Sequence, residues 1–325
     1  MTIKESVLAE LQKNKEIFIS GEHLSSALGV SRTAVWKAIN SLREDGHLIE
    51  AVTNKGYMLL QDSWNVTENS LRSLLPAKHK NLPIHILDSI DSTNDHAKQF
   101  ALSGAGHGTV VIAKQQSGGK GRLGRSFFSP REGIYLSIII KPEFDLSKSV
   151  LVTAAAAVAA CEAIEEICGH EAGIKWVNDI YIGGKKACGI LTEGITDFET
   201  GRIDTIIIGI GINTTTQGFP KELLDIAGCV NGDYSRSALT AEVICKTLDL
   251  VDDIECKSFI ETYKKKSIVI GKTVTVYKGI YKTDPGEVPS KSARVLDIDE
   301  NGGLIVLYAD GTRETLTSGE ISIRL

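Results

Sequence analysis

The most constraining stretch of the chain is Gly118-Gly119-Lys120-Gly121-Arg122-Leu123-Gly124-Arg125, which packs four glycines and three cations into eight residues between two apolar runs. Thr109–Lys114 before it and Ile134–Lys141 after it read as strands. The segment is therefore a strand-to-strand loop whose backbone can approach an anion closely, with arginine forks suited to phosphate or carboxylate oxygens. Gly119-x-Gly121-x-x-Gly124 matches the dinucleotide-binding spacing, but that motif needs a helix to start inside it. Here the chain runs instead through Ser129-Pro130-Arg131-Glu132-Gly133 into the second strand. The phosphate-binding P-loop is excluded as well, because Lys120 is followed by glycine and not by Ser or Thr.

The length of 325 residues allows two or three domains, and the net charge of −5 rules out a globally basic nucleic-acid binder. Any DNA contact must come from a local patch. The six cysteines (Cys161, Cys168, Cys188, Cys229, Cys245, Cys256) form no CxxC pair and no metal-ligand spacing, so they read as small apolar residues in a reducing compartment. Cys161 and Cys168, on an alanine-rich helix, are expected to share a buried face. Charges throughout Met1–Leu11 argue against a signal peptide, and no apolar run is long enough for a membrane span. The expected location is cytoplasmic, with no membrane partner.

The first sixty residues have their own pattern. Helices are expected over Ile3–Lys13, Glu22–Leu28 and Arg32–Asp45, with Gly29 ending the second, Ser31 capping the third and Gly46 stopping it. Strands Leu48–Thr53 and Tyr57–Leu60 then meet at Asn54-Lys55-Gly56. This order is that of a winged helix-turn-helix. The polar face of its third helix, Ser31, Arg32, Thr33, Trp36, Lys37 and Asn40 with Arg43 beyond, carries three cations and no acid from Ser31 to Arg43. Arg and Lys suit phosphates while Thr and Asn reach base edges, so these residues and Asn54 and Lys55 at the hairpin tip are the candidate DNA contacts. Seven cations against eight acids over Met1–Asp62 predict weak non-specific affinity, so specific binding should need two copies.

After a polar connector at Gln61–Asn65, strands and helices alternate. Strands are expected at Ile84–Leu87, Thr109–Lys114, Ile134–Lys141, Ile174–Ile182, Ala187–Glu193 and Asp204–Ile210, and helices at Ser92–Leu102, Leu151–Ile167 and Ala241–Lys264. The mixture predicts an α+β sheet with helices on one side. The end of the chain holds five short strand patterns, Lys272–Tyr277, Ala293–Ile298, Leu304–Tyr308, Arg313–Thr317 and Ile321–Leu325, the pattern of a small β-barrel. Domains are accordingly expected at 1–63, 66–266 and 270–325.

Four central segments can meet at one end of the sheet: Asp91-Ser92-Thr93-Asn94, Gln116–Arg125, Lys175-Trp176-Val177-Asn178-Asp179 and Gly209-Ile210-Gly211-Ile212-Asn213. Singly each has an ordinary explanation, Ser92 or Thr93 as a helix cap, Lys175 as a strand-end lysine, Gly211 as a turn residue. In this order, between the two flanking modules, they resemble the bifunctional biotin protein ligases that also repress the biotin operon. That family shows D-S-T-N, G-R-G-R-x-G-R, K-W-P-N-D and G-x-G-x-N segments, and the resemblance spans essentially the whole chain. Lys120 replaces the loop's first arginine, Val177 the proline, and Phe127 stands where tryptophan is common.

The resemblance implies a multidomain α+β chain: an N-terminal winged helix-turn-helix, a central α+β ligase domain with a mixed sheet, and a C-terminal SH3-like β-barrel. It implies that biotin and ATP, with Mg²⁺, give biotinyl-5′-AMP, and that biotin then passes to a lysine of a biotin carboxyl carrier protein. Lys175, Arg122 and Arg125 are then the expected catalytic cations, since fixed positive charge lowers the barrier where negative charge builds. Ser92, Thr93, Asn94, Gln116, Lys120, Gly121, Arg122 and Lys175 would bind biotin. Lys120, Arg122, Arg125, Phe127, Lys186 and Asn213 would bind ATP or the adenylate. No metal ligands are assigned. The loop Ser117–Arg125 is expected to need an anionic partner to be ordered. The adenylate-bound chain is then expected to form a homodimer and bind biotin operator DNA. Two alternatives remain at this point, a lipoate-type ligase and a biotin-responsive repressor without catalysis.

Overall fold

The computed structural model describes residues 2–14, 17–44, 47–61, 66–142, 144, 149–196, 203–216, 218–277, 290–317 and 320–322. The chain divides into two compact units, Met1–Val66 and Thr67–Leu325.

In the first unit, α1 (Ile3–Lys13), α2 (Gly21–Leu28) and α3 (Arg32–Glu44) precede a hairpin of β1 (Leu48–Val52) and β2 (Gly56–Gln61). Thr2 and Glu5 form a reciprocal capping box that satisfies otherwise unpaired N–H groups of α1. Ser20 caps α2, and Gly29 ends it at φ 64°, a left-handed conformation that glycine adopts without strain. Helical spacing on all three helices puts Val7, Leu11, Leu24, Val35, Ile39 and Leu42 into one core, closed by Ile49 and Leu59 of the hairpin. Truncating one of the fully buried leucines would cost about 2–5 kcal/mol. The expected stop at Gly46 and most of the Gln61–Asn65 connector lie outside the described residues.

The second unit is built on a seven-stranded sheet in the order β3-β4-β5-β9-β8-β7-β6. Its strands are β3 (Ile84–Ile90), β4 (Val110–Gln116), β5 (Ile134–Ile140), β6 (Gly173–Lys175), β7 (Asp179–Ile182), β8 (Lys185–Thr196) and β9 (Ile203–Ile212). Among the described strand pairs of this sheet only β3–β4 is parallel, because α5 (Thr93–Leu102) supplies the crossover between them. The sheet is thus mixed, as expected. Its helices are not confined to one side. On β8, Glu193 reaches α5 through Lys98, while its neighbour Thr192 hydrogen-bonds Thr153 of α6 (Ser149–Cys168). Adjacent strand residues point to opposite faces, so α5 and α6 cover opposite faces.

Other expectations are corrected by local chemistry. Ile174–Ile182 is two strands parted by a turn at Trp176–Asn178. The helix expected over Ala241–Lys264 is α7 (Arg236–Asp252) and α8 (Ile260–Lys265), parted by a 3-10 turn whose C-cap, Lys257, is left-handed. A short helix, α4 (Glu68–Leu74), capped by Thr67, packs Leu71 inward and joins α7 through Ser70 and Ser237. Cys161 is buried but Cys168 only partly so.

The C-terminal strands β10 (Thr273–Tyr277), β11 (Ser290–Ile298), β12 (Leu304–Tyr308), β13 (Arg313–Leu316) and β14 (Glu320–Ser322) form an antiparallel sheet in the order β13-β12-β11-β10-β14. No β13–β14 pairing closes it among the described residues. Residues 323–325 of the expected last strand lie outside the described residues. This sheet is joined to the seven-stranded one by the Trp176 indole N–H, which donates to the Gly302 carbonyl at 2.9 Å.

Candidate active site

A cavity of about 350 Å³, a size suited to a small ligand, opens over the end of the seven-stranded sheet. All four expected segments reach it. Its lining includes Ser92, Thr93, Asn94, Gln116, Lys120, Gly121, Arg122, Arg125, Phe127, Lys175, Lys186 and Asn213. Every residue expected to act in catalysis or in biotin or nucleotide binding therefore faces one space.

The floor is one face of β8 and β9 that carries Gly189, Gly209 and Gly211. Gly211 pairs with Gly189, and Gly209 with Leu191. A Cβ on Gly209 would lie 2.2 Å from Asn94 Oδ1, and one on Gly211 would lie 2.6 Å from Phe127 Cε1. Glycine at both positions lets these two side chains approach the strand closely. The two glycines are two residues apart, so Asn94 and Phe127 sit about 7 Å from each other along the strand.

At the Asn94 end the polar groups hold one another. Asn94 accepts from Ser137 Oγ at 2.6 Å and donates to Glu193 Oε2 at 2.7 Å and to the Leu191 carbonyl at 3.3 Å. Gln116 Oε1 accepts from the Thr93 N–H and hydroxyl at 2.7 and 3.1 Å, while its Nε2 donates to Ser129 Oγ at 3.0 Å. Ser92 stands at the N-cap of α5 but makes no side-chain capping bond; instead its N–H donates to Asp91 Oδ1 at 2.7 Å. That donation holds the Asp91 carboxyl below its ordinary pKa. Ser92, Thr93 and Asn94 are buried, so a ligand there meets a preformed polar lining.

The glycine-rich loop makes backbone hydrogen bonds within itself and to Asp91. Gly121 N–H donates to the Arg125 carbonyl at 2.7 Å, Phe127 N–H to Gly119 O at 2.8 Å and Gly118 N–H to Asp91 O at 2.9 Å. Within it Leu123 and Gly124 take left-handed φ of 58° and 77°. Lys120 is turned back to Asp95, at 2.6 and 2.8 Å, and the pairing raises its pKa. Arg122 donates to Asn178 Oδ1 at 3.3 Å, and Arg125 is exposed at the rim.

The turn Trp176–Asn178 is held from three sides. Trp176 is tied to Gly302, the Val177 carbonyl accepts from the Tyr263 hydroxyl at 2.9 Å, and Asn178 Nδ2 donates to Ile190 O at 2.7 Å. The Trp176–Val177 peptide bond is cis. Two lysines flank this turn. The Lys175 ammonium lies 5.8 Å from the centre of the Tyr181 ring, and Lys186 pairs with Asp179 at 2.7 Å. Lys186 also lies near the floor, 3.3 Å from where a Cβ on Gly189 would be. Asn213 Nδ2 donates to Gly228 O at 3.1 Å, while its buried Oδ1 has no hydrogen-bond partner among the described residues.

Sequence reasoning missed part of the lining. Phe219, Leu223, Ile226 and Ala227 come from the segment after β9, and Ile321 comes from the C-terminal sheet. The apolar spacing of Leu223 and Ile226 after Phe219 was the available signal. Among the described residues no group of three His, Cys, Asp or Glu is placed to hold a metal ion.

In the first unit, Ser31, Arg32, Thr33, Trp36, Lys37, Asn54 and Lys55 are exposed and Asn40 is half-buried. Ser31 Oγ accepts from the Ala34 N–H, so its hydroxyl is used as a cap. Arg32 meets Glu22 at 3.3 Å, a loose exposed pair, and Lys55 lies 5.6 Å from the Phe18 ring. Arg43 does not add to the DNA face, because its guanidinium donates twice to the Ile49 carbonyl and braces the hairpin.

Comparison with known proteins gives the family. Residues 86–213 match the biotin/lipoate A/B protein ligase family, residues 4–58 an HTH domain and residues 284–324 the biotin protein ligase C-terminal domain. The chain is 41% identical over 229 residues to the bifunctional ligase/repressor BirA of Bacillus subtilis, covering 70% of each chain. It is 28% identical over 321 residues to that of Escherichia coli, covering 94% of this chain and 93% of the other. A biotin protein ligase from Aquifex aeolicus, solved with biotin and ATP, superposes with a TM-score of 0.61 at 27% identity, over 74% of this chain and 98% of that one. The chain belongs to the biotin protein ligase family, and with its N-terminal HTH domain it is one of the bifunctional ligase/repressors.

Proposed function

We propose that the cavity joins biotin to AMP and then delivers biotin to a carrier lysine, and that the adenylate it makes controls DNA binding by the first unit. The carrying observation is the order of groups along the floor. A buried polar lining surrounds Asn94, an aromatic ring lies about two residues further along the strand, and Lys175, Lys186, Arg122 and Arg125 line the same cavity. Ser92, Thr93, Asn94 and Gln116 supply both donors and acceptors for a ureido ring. Phe127 offers an aromatic face to adenine, and Asn213 Oδ1, which has no partner among the described residues, is an acceptor for an exocyclic amine.

In the first step a carboxylate oxygen of biotin attacks the α-phosphorus of ATP, forming the P–O bond of the mixed anhydride as pyrophosphate leaves. Lys175, Lys186, Arg122 and Arg125 stabilise the charge that builds on the phosphate oxygens. Lys120 joins them from the loop. In the second step a carrier lysine amine attacks the acyl carbon and AMP departs. Between the steps Phe219, Leu223 and Ile226 and the loop exclude water from the anhydride. Asp179 is the one carboxylate on the described lining and is paired with Lys186, so the donor set fits a Mg²⁺ held chiefly by the triphosphate. When bound, that ion would neutralise phosphate charge.

The C-terminal sheet is read as an SH3-like module, and the domains as 1–63, 66–266 and 270–325. The site of action is taken to be the cytoplasm; among the described residues no helix is long and apolar enough to cross a membrane. The partners are a biotin carboxyl carrier protein, biotin operator DNA and a second copy of the chain. Relatives named for biotin favour it over lipoate, and retention of every cavity cation argues against a repressor without catalysis. Biotin-dependent exchange of labelled pyrophosphate into ATP tests the reading. Exchange that needs biotin supports it, and exchange that needs lipoate instead overturns it.

A further inference from the structure

Lys120 is the loop cation whose placement the site chemistry does not explain. It lines the cavity and pairs there with both oxygens of Asp95, at 2.8 and 2.6 Å. Asp95 follows Asn94 directly and lies in the first turn of α5, where a carboxylate is favoured by the helix N-terminus. It also stands 3.8 Å from Lys98, whose ammonium is held at 2.7 Å by Glu193. Glu193 in turn accepts from Asn94, which accepts from Ser137. A continuous polar chain thus runs from the buried floor of the cavity to the tip of the loop.

The two ends of that chain differ in their hold. Asn94 is 3% exposed and bound on three sides. The Lys120 side chain is 48% exposed and that of Asp95 24%. An exposed pair of this kind is weak and exchanges partners readily. A lysine suits such an exchange better than an arginine, because its point charge needs no matching fork. The Lys120 stem leaves the loop one residue before Gly121, which with Arg122 lines the same cavity.

We propose that Asp95 is a positioning residue that holds Lys120 as a latch and yields it to the phosphate of the adenylate. The proposal rests on the reading that the loop closes over that phosphate. Asp95 touches no reacting atom; it competes with the phosphate for one loop cation. Its carboxylate keeps the loop tip near α5 and sets a threshold that an anionic ligand must exceed. Biotin alone, whose ring lies at the Asn94 end, does not draw on Lys120.

The test is a double-mutant cycle on the full chain with Asp95→Asn, Lys120→Met and the two combined, reading affinity for a non-hydrolysable biotinyl-adenylate analogue and, separately, for biotin. The latch predicts that Asp95→Asn tightens analogue binding about two- to fivefold, with biotin binding unchanged. It predicts that the gain disappears in the Lys120→Met background and that Asp95→Glu restores the wild-type value. The readout is specific, because a merely structural role for Asp95 weakens both ligands and does not depend on Lys120. If Asp95→Asn leaves the analogue unchanged or weaker while Lys120→Met weakens it, the latch is wrong and the loop reading stands. If Lys120→Met, Arg122→Ala and Arg125→Ala all leave analogue affinity unchanged, the loop does not meet the phosphate and both ideas fall.

Discussion

Adding one methyl group to each of two glycines on β9 should separate the two substrates kinetically. In Gly209→Ala the new Cβ lies 2.2 Å from Asn94 Oδ1, 2.9 Å from its Cγ and 3.0 Å from its Nδ2. Asn94 cannot retreat without leaving Ser137 or Glu193, its partners at 2.6 and 2.7 Å. Orphaning one buried polar group costs about 1–3 kcal/mol. If that cost falls on the biotin-binding conformation, KM for biotin rises about 5- to 150-fold. The same cost lowers Tm by about 2–12 °C. In Gly211→Ala the methyl meets the Phe127 ring instead, at 2.6 Å. The ring can tilt, so the loss is that of one aromatic contact, a rise in KM for ATP of about 2- to 12-fold. Steady-state pyrophosphate exchange with each substrate varied in turn reads both effects, and thermal melts check folding. Equal changes in both KM values for either variant would refute the proposed order of groups along the strand.

Three further outcomes follow from the geometry. Lys175→Ala and Lys186→Ala should each slow single-turnover adenylate formation about 10²- to 10³-fold, and Asp179→Asn should partly rescue only Lys186→Ala, because that change alone leaves the Asp179 carboxylate unpaired. Trp176→Phe keeps an aromatic ring but removes the N–H donor and orphans the Gly302 carbonyl, so C-terminal cleavage in limited proteolysis should quicken while biotin binding holds. Arg32→Ala with Lys37→Ala should weaken operator binding and flatten its salt dependence by about two charges without altering adenylation; an unchanged gel shift would misplace the recognition helix.

What the sequence carried legibly was local. Ser20 and Gly29 announce the ends of α2, and the apolar period of α1 and α3 names their core. The four motifs could be joined because each sits at a strand end or loop that the sheet order brings to one place. What stayed hidden depends on contacts between distant positions. The break between β6 and β7 is set by Tyr263, Ile190 and Gly302, all remote in the chain, and apolar spacing through Ile174–Ile182 does not report it. Placement of helices on both faces depends on which parity of β8 meets each helix, as Thr192 and Glu193 show. Arg43 counts as a surface cation until β1 presents the Ile49 carbonyl to it. Lys120 likewise looks free until α5 places Asp95 beside it, twenty-five residues away.

The central claim is that one chain makes the adenylate and is switched by it. By linkage, any ligand that tightens DNA binding must itself bind more tightly when DNA is present. The most direct test follows a single sample over time. Full-length protein is mixed with fluorescent biotin-operator DNA, then biotin and ATP are added, and finally an apo carrier domain with an acceptor lysine. The account predicts little binding at first, a rise in anisotropy after biotin and ATP, and a fall as the carrier consumes the adenylate. Anisotropy that ignores both additions, while the carrier still becomes biotinylated, would contradict it.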